Sequence, residues 1–539
     1  MKKIQSFLLD LYFILSTFFV FTAASPFLNE QSREYFRSHP KSHRLILSLI
    51  SVSAILVFSL LHAKFKNDSA VFSFFKKLQW KFNVWVYFVF FLMFGVFGYA
   101  SYVRHHVFAS SFDFAIFSQA IWNTWNGSFL YSSIKGGICL LGDHISPILA
   151  LLAPIFSFGF KPEVLLILQA GAAASSVFPL YALSKTILKE DLLAFLFVVS
   201  FALYLPLRNS VRFDFHPEIF AIPLILCSFY WVVTNRLFLA SLSLILVLMT
   251  KEVACLPVAM FGLYVCFFQK KFRFGILWVV ISIVLFFVEI HFVAPYFSGE
   301  PYFYLRGNYS AWKSEGFITL LQFLFQGSSL TYLKKIFLPV GFFPILSPFT
   351  LMLTLPSIFQ NLSARNELTR SIFFQYTAYL TPFVFISAVY GFQKSILLLS
   401  KFLPPKRAKI FVGYWLIIWS ILLSGVSEYY VISEYQRQDN PHFAYVRNYL
   451  KTIPSSVSVR THELFAPHLA NRRELFIFEN HHPKEGGSKK AMSADYVILD
   501  QKFIPNFDAS QISNVLNQGY SIKHEHDGFY VLTRKELLR

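Results

Sequence analysis

The chain has 539 residues, of which 55% are hydrophobic and only 14% charged, with 67 phenylalanines and a formal net charge of +19. Apolar runs of membrane-spanning length recur up to about residue 427, so this is a polytopic helical membrane protein and not a soluble globular one. Basic cytoplasmic loops and anionic headgroups account for the positive charge, which leaves nucleic acid out as a partner and membrane lipids in. Cys139, Cys227, Cys255 and Cys266 show no paired spacing and read as packing residues.

The opening MKKIQSFLLDLYFILSTFFVFTAAS has two lysines, an apolar run and then small residues, and reads as an uncleaved first helix, with a signal segment cleaved after Ala-Ala-Ser as the alternative. Further spans are predicted near 44–62 and 83–102. Basic loops at 63–83, 185–191, 269–274 and 400–410 are placed in the cytoplasm by the excess of Lys and Arg on that side. Residue 103 then emerges outside, and SSFDFAIFSQAIWN follows. In that segment Phe114, Phe117, Ile121 and Trp125 share one helical face, and Gln119, Trp122, Asn123 and Asn126 share another. The pattern predicts an amphipathic helix lying at the interface. Asp113 stands at its start, where the helix dipole favours a carboxylate; an ordinary capping aspartate is the plain alternative.

LGDHISP brings Asp143 and His144 just before an apolar run, 145–160, that is short and holds Pro147 and Pro154. A re-entrant or interfacial element is expected there. With that parity, the spans 164–184 and 192–207 return the chain to the outer side at RFDFHPE. Asp214 and His216 occupy alternate positions, Pro217 pushes His216 towards an extended backbone, and Glu218 follows. Spans 217–234 and 237–252 bring Lys251 and Glu252 to the same face. Two spans then bracket QKKFRF and lead to an outer loop at 296–310. Four prolines between 335 and 359 predict two short or broken spans, and 376–393 and 410–427 complete about 12 crossings. From residue 428 the composition turns polar and mixed. VSVRT, LFIFE and ADYVILD read as buried strands, and FAYVRNYLKTI, ELFAPHLAN and DASQISNVLNQ as helices. The expected organisation is an N-terminal helical and basic segment (1–82), an all-α membrane domain (83–427) and a small extracytoplasmic α/β domain (428–539).

Asp113, Asp143, His144, Asp214, His216, Glu218, Lys251 and Glu252 thus converge on one membrane face. Ionisable groups at membrane depth are costly and mark function by default. Lys251 with Glu252 is either a snorkelling helix end or a cation aimed at a phosphate, with Arg104, Arg208 and Arg212 on the same face. The Asp and His residues leave a divalent cation open as a cofactor, but no ligand set with recognised spacing is visible.

The order FDFAIFSQAIWN, GDHISPILALLAPIF, a Gln-containing helix, FDFHPEIFAIPL and TKEVACLPVAMFGLY, with ADYVILD near the end, resembles the bacterial membrane-protein family of domain of unknown function 2079. That family is similar to the GT-C superfamily of integral-membrane glycosyltransferases. The resemblance implies a GT-C-like membrane domain in the bacterial inner membrane, and a polyprenyl-phosphate sugar as donor and co-substrate. A glycan, lipid or protein would be the acceptor. It implies a catalytic Asp113 in the first outer loop, with His144 and Pro147 as the His–Pro element that follows. Asp143 would stand in for a second acidic residue that is not adjacent to Asp113. Gln119, Trp122, Asp214, His216, Glu218, Lys251 and Glu252 are expected to shape the donor or acceptor site. A flippase or transporter of lipid-linked glycans, or a non-catalytic membrane scaffold, is the alternative.

Overall fold

A computed structural model of the protein describes residues 82–304, 316–424, 434–435, 437–478, 493–503 and 510–534. The expected first helix, the span at 44–62, the basic loop before residue 82 and the end of the 296–310 loop lie outside the described residues.

Helix α1 (Phe82–His106) has 25 residues, about 37 Å at 1.5 Å per residue, which is enough to cross a hydrocarbon core of about 30 Å. It buries Val86, Met93 and Phe97 against its neighbours and exposes Phe88, Phe91 and Leu92. A turn leads to α2 (Phe112–Trp125), and a short apolar helix follows at Ile148–Phe158, too short to cross. Helices α3 (Glu163–Ser175) and α4 (Val177–Leu188) continue as one spanning element. Helices α5 (Asp191–Leu203) and α6 (Leu205–Phe213) bend by 45° at Tyr204. Pro206 has no N–H for the carbonyl four residues back, so the helix restarts there. Then come α7 (Ala221–Val233), α8 (Leu237–Leu248), α9 (Cys255–Phe268) and α10 (Phe272–Val288). Helices α9 and α10 cross closely: a Cβ at Gly262 would stand 2.7 Å from the Gly275 carbonyl oxygen. The proline-rich segment breaks into pieces of at most 11 residues, as expected, before α11 (Leu380–Leu399) and α12 (Pro405–Leu422).

Among the described residues, four helices are long and apolar enough to span a membrane, or five with the bent pair, against the 12 crossings expected. The apolar helices Pro217–Val233, Leu237–Leu248 and Glu252–Phe268 fall short of that length. Three basic loops gather at one end of the helices. Lys409 pairs with Glu190, Lys185 lies 2.6 Å from Asp191, and Lys271 bonds the carbonyl of Val232 at the far end of α7.

The C-terminal part holds α13 (Pro441–Leu450), α14 (Ser510–Asn517) and a five-stranded sheet. Upstream, Tyr131–Ser132 (β1) and Ile138–Cys139 (β2) make a small hairpin. The sheet has β3 (Val459–Thr461), β4 (Leu475–Ile477), β5 (Tyr496–Asp500), β6 (Tyr520–His526) and β7 (Phe529–Arg534) in the order β4-β3-β5-β7-β6. Strand β3 is parallel to β4 and β5, and β7 is antiparallel to β5 and β6. ELFAPHLAN is not an α-helix: only a 3₁₀ turn forms at Ala466–Leu469, with Pro467 in it. The β6–β7 hairpin was not expected. Its turn is Asp527–Gly528, both at positive φ (51° and 84°), a tight turn that Asp-Gly favours.

Two large apolar cores result, with a smaller one between α14 and the soluble sheet. One fills the space between the membrane helices. The other joins α2 and the β1–β2 hairpin to the soluble domain through Val446, Leu450, Phe465, Leu475 and Phe529. The expected polar face of α2 is therefore only partly open to solvent: Gln119 and Asn123 are buried under protein, and Asn126 is exposed.

Candidate active site

The site begins where α2 starts. Asp214 is buried directly beside that start, and its Oδ2 accepts from Ser111 N (3.0 Å) and Ser111 Oγ (2.6 Å). Burial pushes its carboxyl up to about 6, against the pull of Arg104 and Ser111. Two residues on, His216 is extended (φ −141°, ψ 129°) ahead of Pro217. Gln169 from α3 fixes this turn: its Oε1 accepts from His216 N (2.6 Å), and its Nε2 donates to the carbonyls of Val211 (2.9 Å) and Asp214 (2.8 Å). The buried His216 ring then places Nε2 3.6 Å from Asp113 Oδ2. Asp113 keeps a third of its side chain exposed, at 33%. Burial alone would raise its pKa, but His216, Lys135 and Lys251 outweigh that and hold it below the usual carboxylate range. Burial would lower the pKa of His216, but Asp113 and Glu218 raise it above the ordinary histidine value.

Three further pairs surround this one. Lys251 Nζ lies 2.7 Å from Glu218 Oε1, the carboxylate buried and the lysine nearly so. Glu252 accepts from Tyr302 Oη (2.5 Å) and from Ile145 N (2.9 Å), and lies 3.3 Å from His144 Nδ1. Asp143 takes Tyr304 Oη at 3.2 Å on one oxygen and Lys135 Nζ at 3.4 Å on the other. The His144 ring stacks on Tyr304 with centroids 4.3 Å apart. Gly142 allows this: a Cβ there would stand 2.7 Å from Ser298 N. A cleft lined by Lys135, Gly142, Asp143, Ser298 and Phe303 opens beside the last pair.

Asp113, Asp143, His144, His216, Glu218, Lys251 and Glu252, from four separate segments, thus form one set of linked or neighbouring ion pairs. Asp214 caps the start of α2 through Ser111, and its charge also acts on His216. Gln119 is elsewhere: its amide is fully engaged with Ser132, Ser133 and the carbonyls of Arg472 and Arg473. Trp122 packs at the edge of the second core. The arginines form a separate group: Arg104 and Arg212 each reach Glu434 at 3.0 Å, and Arg208 donates to the Ser424 carbonyl (2.8 Å). Sequence reasoning missed Lys135, Tyr302 and Tyr304. A lysine before two glycines, SIKGG, was a usable signal for the first; nothing in YFY distinguishes the two tyrosines from packing residues. Among the described residues no group of three or more His, Cys, Asp or Glu side chains is disposed to hold a metal ion. The carboxylates that would serve are engaged by lysine, histidine or tyrosine.

The profile of a family described as "Predicted membrane protein (DUF2079)" matches residues 104–531. No curated protein matches the chain. Among solved structures, ArnT from Cupriavidus metallidurans bound to undecaprenyl phosphate aligns with 82% of this chain and 97% of its own, at 8% identity and a TM-score of 0.48. The same protein in the apo state aligns with 78% and 92%, at 8% identity and a TM-score of 0.46. A likeness of this degree leaves substrate and reaction to be argued from the side chains.

Proposed function

The chain belongs to the DUF2079 family of predicted membrane proteins, and from that premise we propose a GT-C-type glycosyltransferase of the bacterial cytoplasmic membrane. It moves a sugar from a polyprenyl-phosphate donor to an extracytoplasmic acceptor. The observation that carries this reading is the gathering of seven ionisable side chains around Asp113, the one carboxylate of the set that is a third exposed. The basic loops lie at the opposite end of the helices, which supports an outer placement of the site and of the soluble domain.

In this reading the acceptor hydroxyl attacks the anomeric carbon, the bond from that carbon to the phosphate oxygen breaks, and polyprenyl phosphate leaves with the electron pair. The hydroxyl proton passes to Asp113. A carboxylate with a depressed pKa is fully charged at neutral pH and weakly basic. It therefore takes the proton late, and until then its charge stabilises the oxocarbenium-like centre. His216 fixes the orientation of Asp113. Lys251 and Lys135, each now paired with a carboxylate, are the lysines whose charges act on Asp113, and they hold the donor phosphate. A flippase would need ionisable groups along a path through the midplane; these groups gather at one end.

The test is the mass of surface glycans in cells with the gene, without it, and with Asp113→Asn. The reading expects a missing mass increment in the second and third. Full restoration by Asp113→Asn would remove Asp113 from catalysis.

A further inference from the structure

Strand β4 is an edge of the soluble sheet, and an edge leaves backbone groups that another strand could take. Here one side chain from the membrane part takes them. Leu475 N donates to Ser133 Oγ (2.7 Å), and Ser133 Oγ donates to the Leu475 carbonyl (2.7 Å). The same hydroxyl accepts from Gln119 Nε2 (2.8 Å), so its one donor and two acceptor sites are all filled. Gln119 Oε1 accepts from Ser132 Oγ (3.0 Å) and Ser133 N (3.1 Å), while its Nε2 reaches the carbonyls just before β4. Tyr131 Oη donates to Glu474 (3.0 Å). Ser133 and Gln119 are buried.

Ser133 also opens the tight turn that carries Lys135. Gly136 N donates to the Ser133 carbonyl (3.1 Å), which places Lys135 at the third position of that turn. Gly136 and Gly137 follow at φ 80° and 79°. Lys135 then points its ammonium to within 3.4 Å of Asp143. A displacement of Ser133 is therefore a displacement of Lys135.

We infer that Ser133 is a positioning residue and that the edge of the soluble domain, through Ser133 and Gln119, sets the place of Lys135 in the site. The soluble domain is in that sense part of the catalytic centre. The inference rests on the phosphate role proposed for Lys135, and its test separates the two. In nanodiscs, the full chain and the variants Ser133→Ala, Lys135→Ala and the double substitution are titrated with undecaprenyl phosphate. Ser133→Ala loses the three hydrogen bonds at Oγ and loosens the hold on Lys135; an effect on the lysine equal to one neutral hydrogen bond corresponds to roughly 2- to 10-fold weaker binding. The double variant should bind like Lys135→Ala alone, because Ser133 acts through the lysine. Additive losses would overturn the inference. Hydrogen exchange gives a readout independent of function. Ser133→Ala should speed exchange in residues 134–143 and at the Leu475 amide, with the membrane helices unchanged. Unchanged exchange at 134–143 would overturn the inference even if undecaprenyl phosphate does not bind the wild type, an outcome that would count against the phosphate role alone. Should Ser133→Ala fail to fold, Tyr131→Phe removes only the Glu474 bond and should raise exchange over the same residues by a smaller factor; no rise there would overturn the inference equally.

Discussion

Removal of the Lys251 ammonium tests both the packing of the site and its chemistry. Lys251 and Glu218 lie 2.7 Å apart with side chains 11% and 5% exposed. At an effective dielectric of about 20, unit charges at that distance attract by about 6 kcal/mol, before desolvation is subtracted. The second oxygen of Glu218, Oε2, is buried with no hydrogen-bond partner among the described residues. Lys251→Ala therefore strands a whole carboxylate, and breaking a buried pair in this way costs about 3–5 kcal/mol. The double substitution Glu218→Gln with Lys251→Met removes both charges at similar volume and should return to within about 1–2 kcal/mol of wild type. Unfolding of detergent-solubilised protein measures this. Binding of undecaprenyl phosphate in nanodiscs measures the other role. A charge-assisted bond to phosphate is worth about 1.5–3 kcal/mol, or about 10- to 150-fold in affinity. Lys251→Ala and the double variant should both lose it, while Lys251→Arg recovers part. A double variant that is stable and binds as tightly as wild type would reduce Lys251 to a structural counter-ion. A Lys251→Ala protein as stable as wild type would refute the buried pair itself.

Asp113→Asn keeps shape and removes charge, so it should fold normally and lose about 10²- to 10⁴-fold in single-turnover transfer; wild-type turnover would end the catalytic assignment. The pH dependence follows from the Asp113–His216 pair. His216 has a raised pKa, so its contribution is complete below the ordinary value of about 6.5 and is lost as pH rises through the folded value. Asp113 has a lowered pKa, so its contribution is present above about 3.8 and is lost as pH falls through its own folded value. The gap in thermal midpoint between wild type and His216→Gln should therefore be widest near pH 5–6 and shrink by about pH 9; a gap flat with pH would show that the imidazole is not charged. Cysteine at the exposed Asn126 should react with an impermeant reagent from outside and cysteine at Lys271 should not. The reverse pattern would move the whole site to the cytoplasm.

Composition and hydropathy by themselves determined the membrane class, the proline-broken segment before α11 and the first three strands of the soluble domain. Each of these depends on local periodicity and on the cost of exposing apolar surface or burying backbone polar groups. The same patterning, with the bias of Lys and Arg, placed Asp113, Asp143, His144, His216, Glu218, Lys251 and Glu252 on one face. What it could not supply was partnership. Lys251 and Glu218 are 33 residues apart and Glu252 and His144 are 108 apart, and only the packing of α2, α3, α7 and α9 decides which cation meets which carboxylate. Helical periodicity likewise showed that Gln119 sits on a polar face, but not that this face would meet a sheet edge rather than water. Hydrogen bonds to Arg472 and Arg473, more than 350 residues away, are fixed by the fold of a domain that the helix does not encode. The two glycines after Lys135 mark a turn in the sequence but do not name its partner. Its ammonium reaches Asp143 because Ser133 is held on β4 and two glycines turn the chain, a relation that exists only in three dimensions.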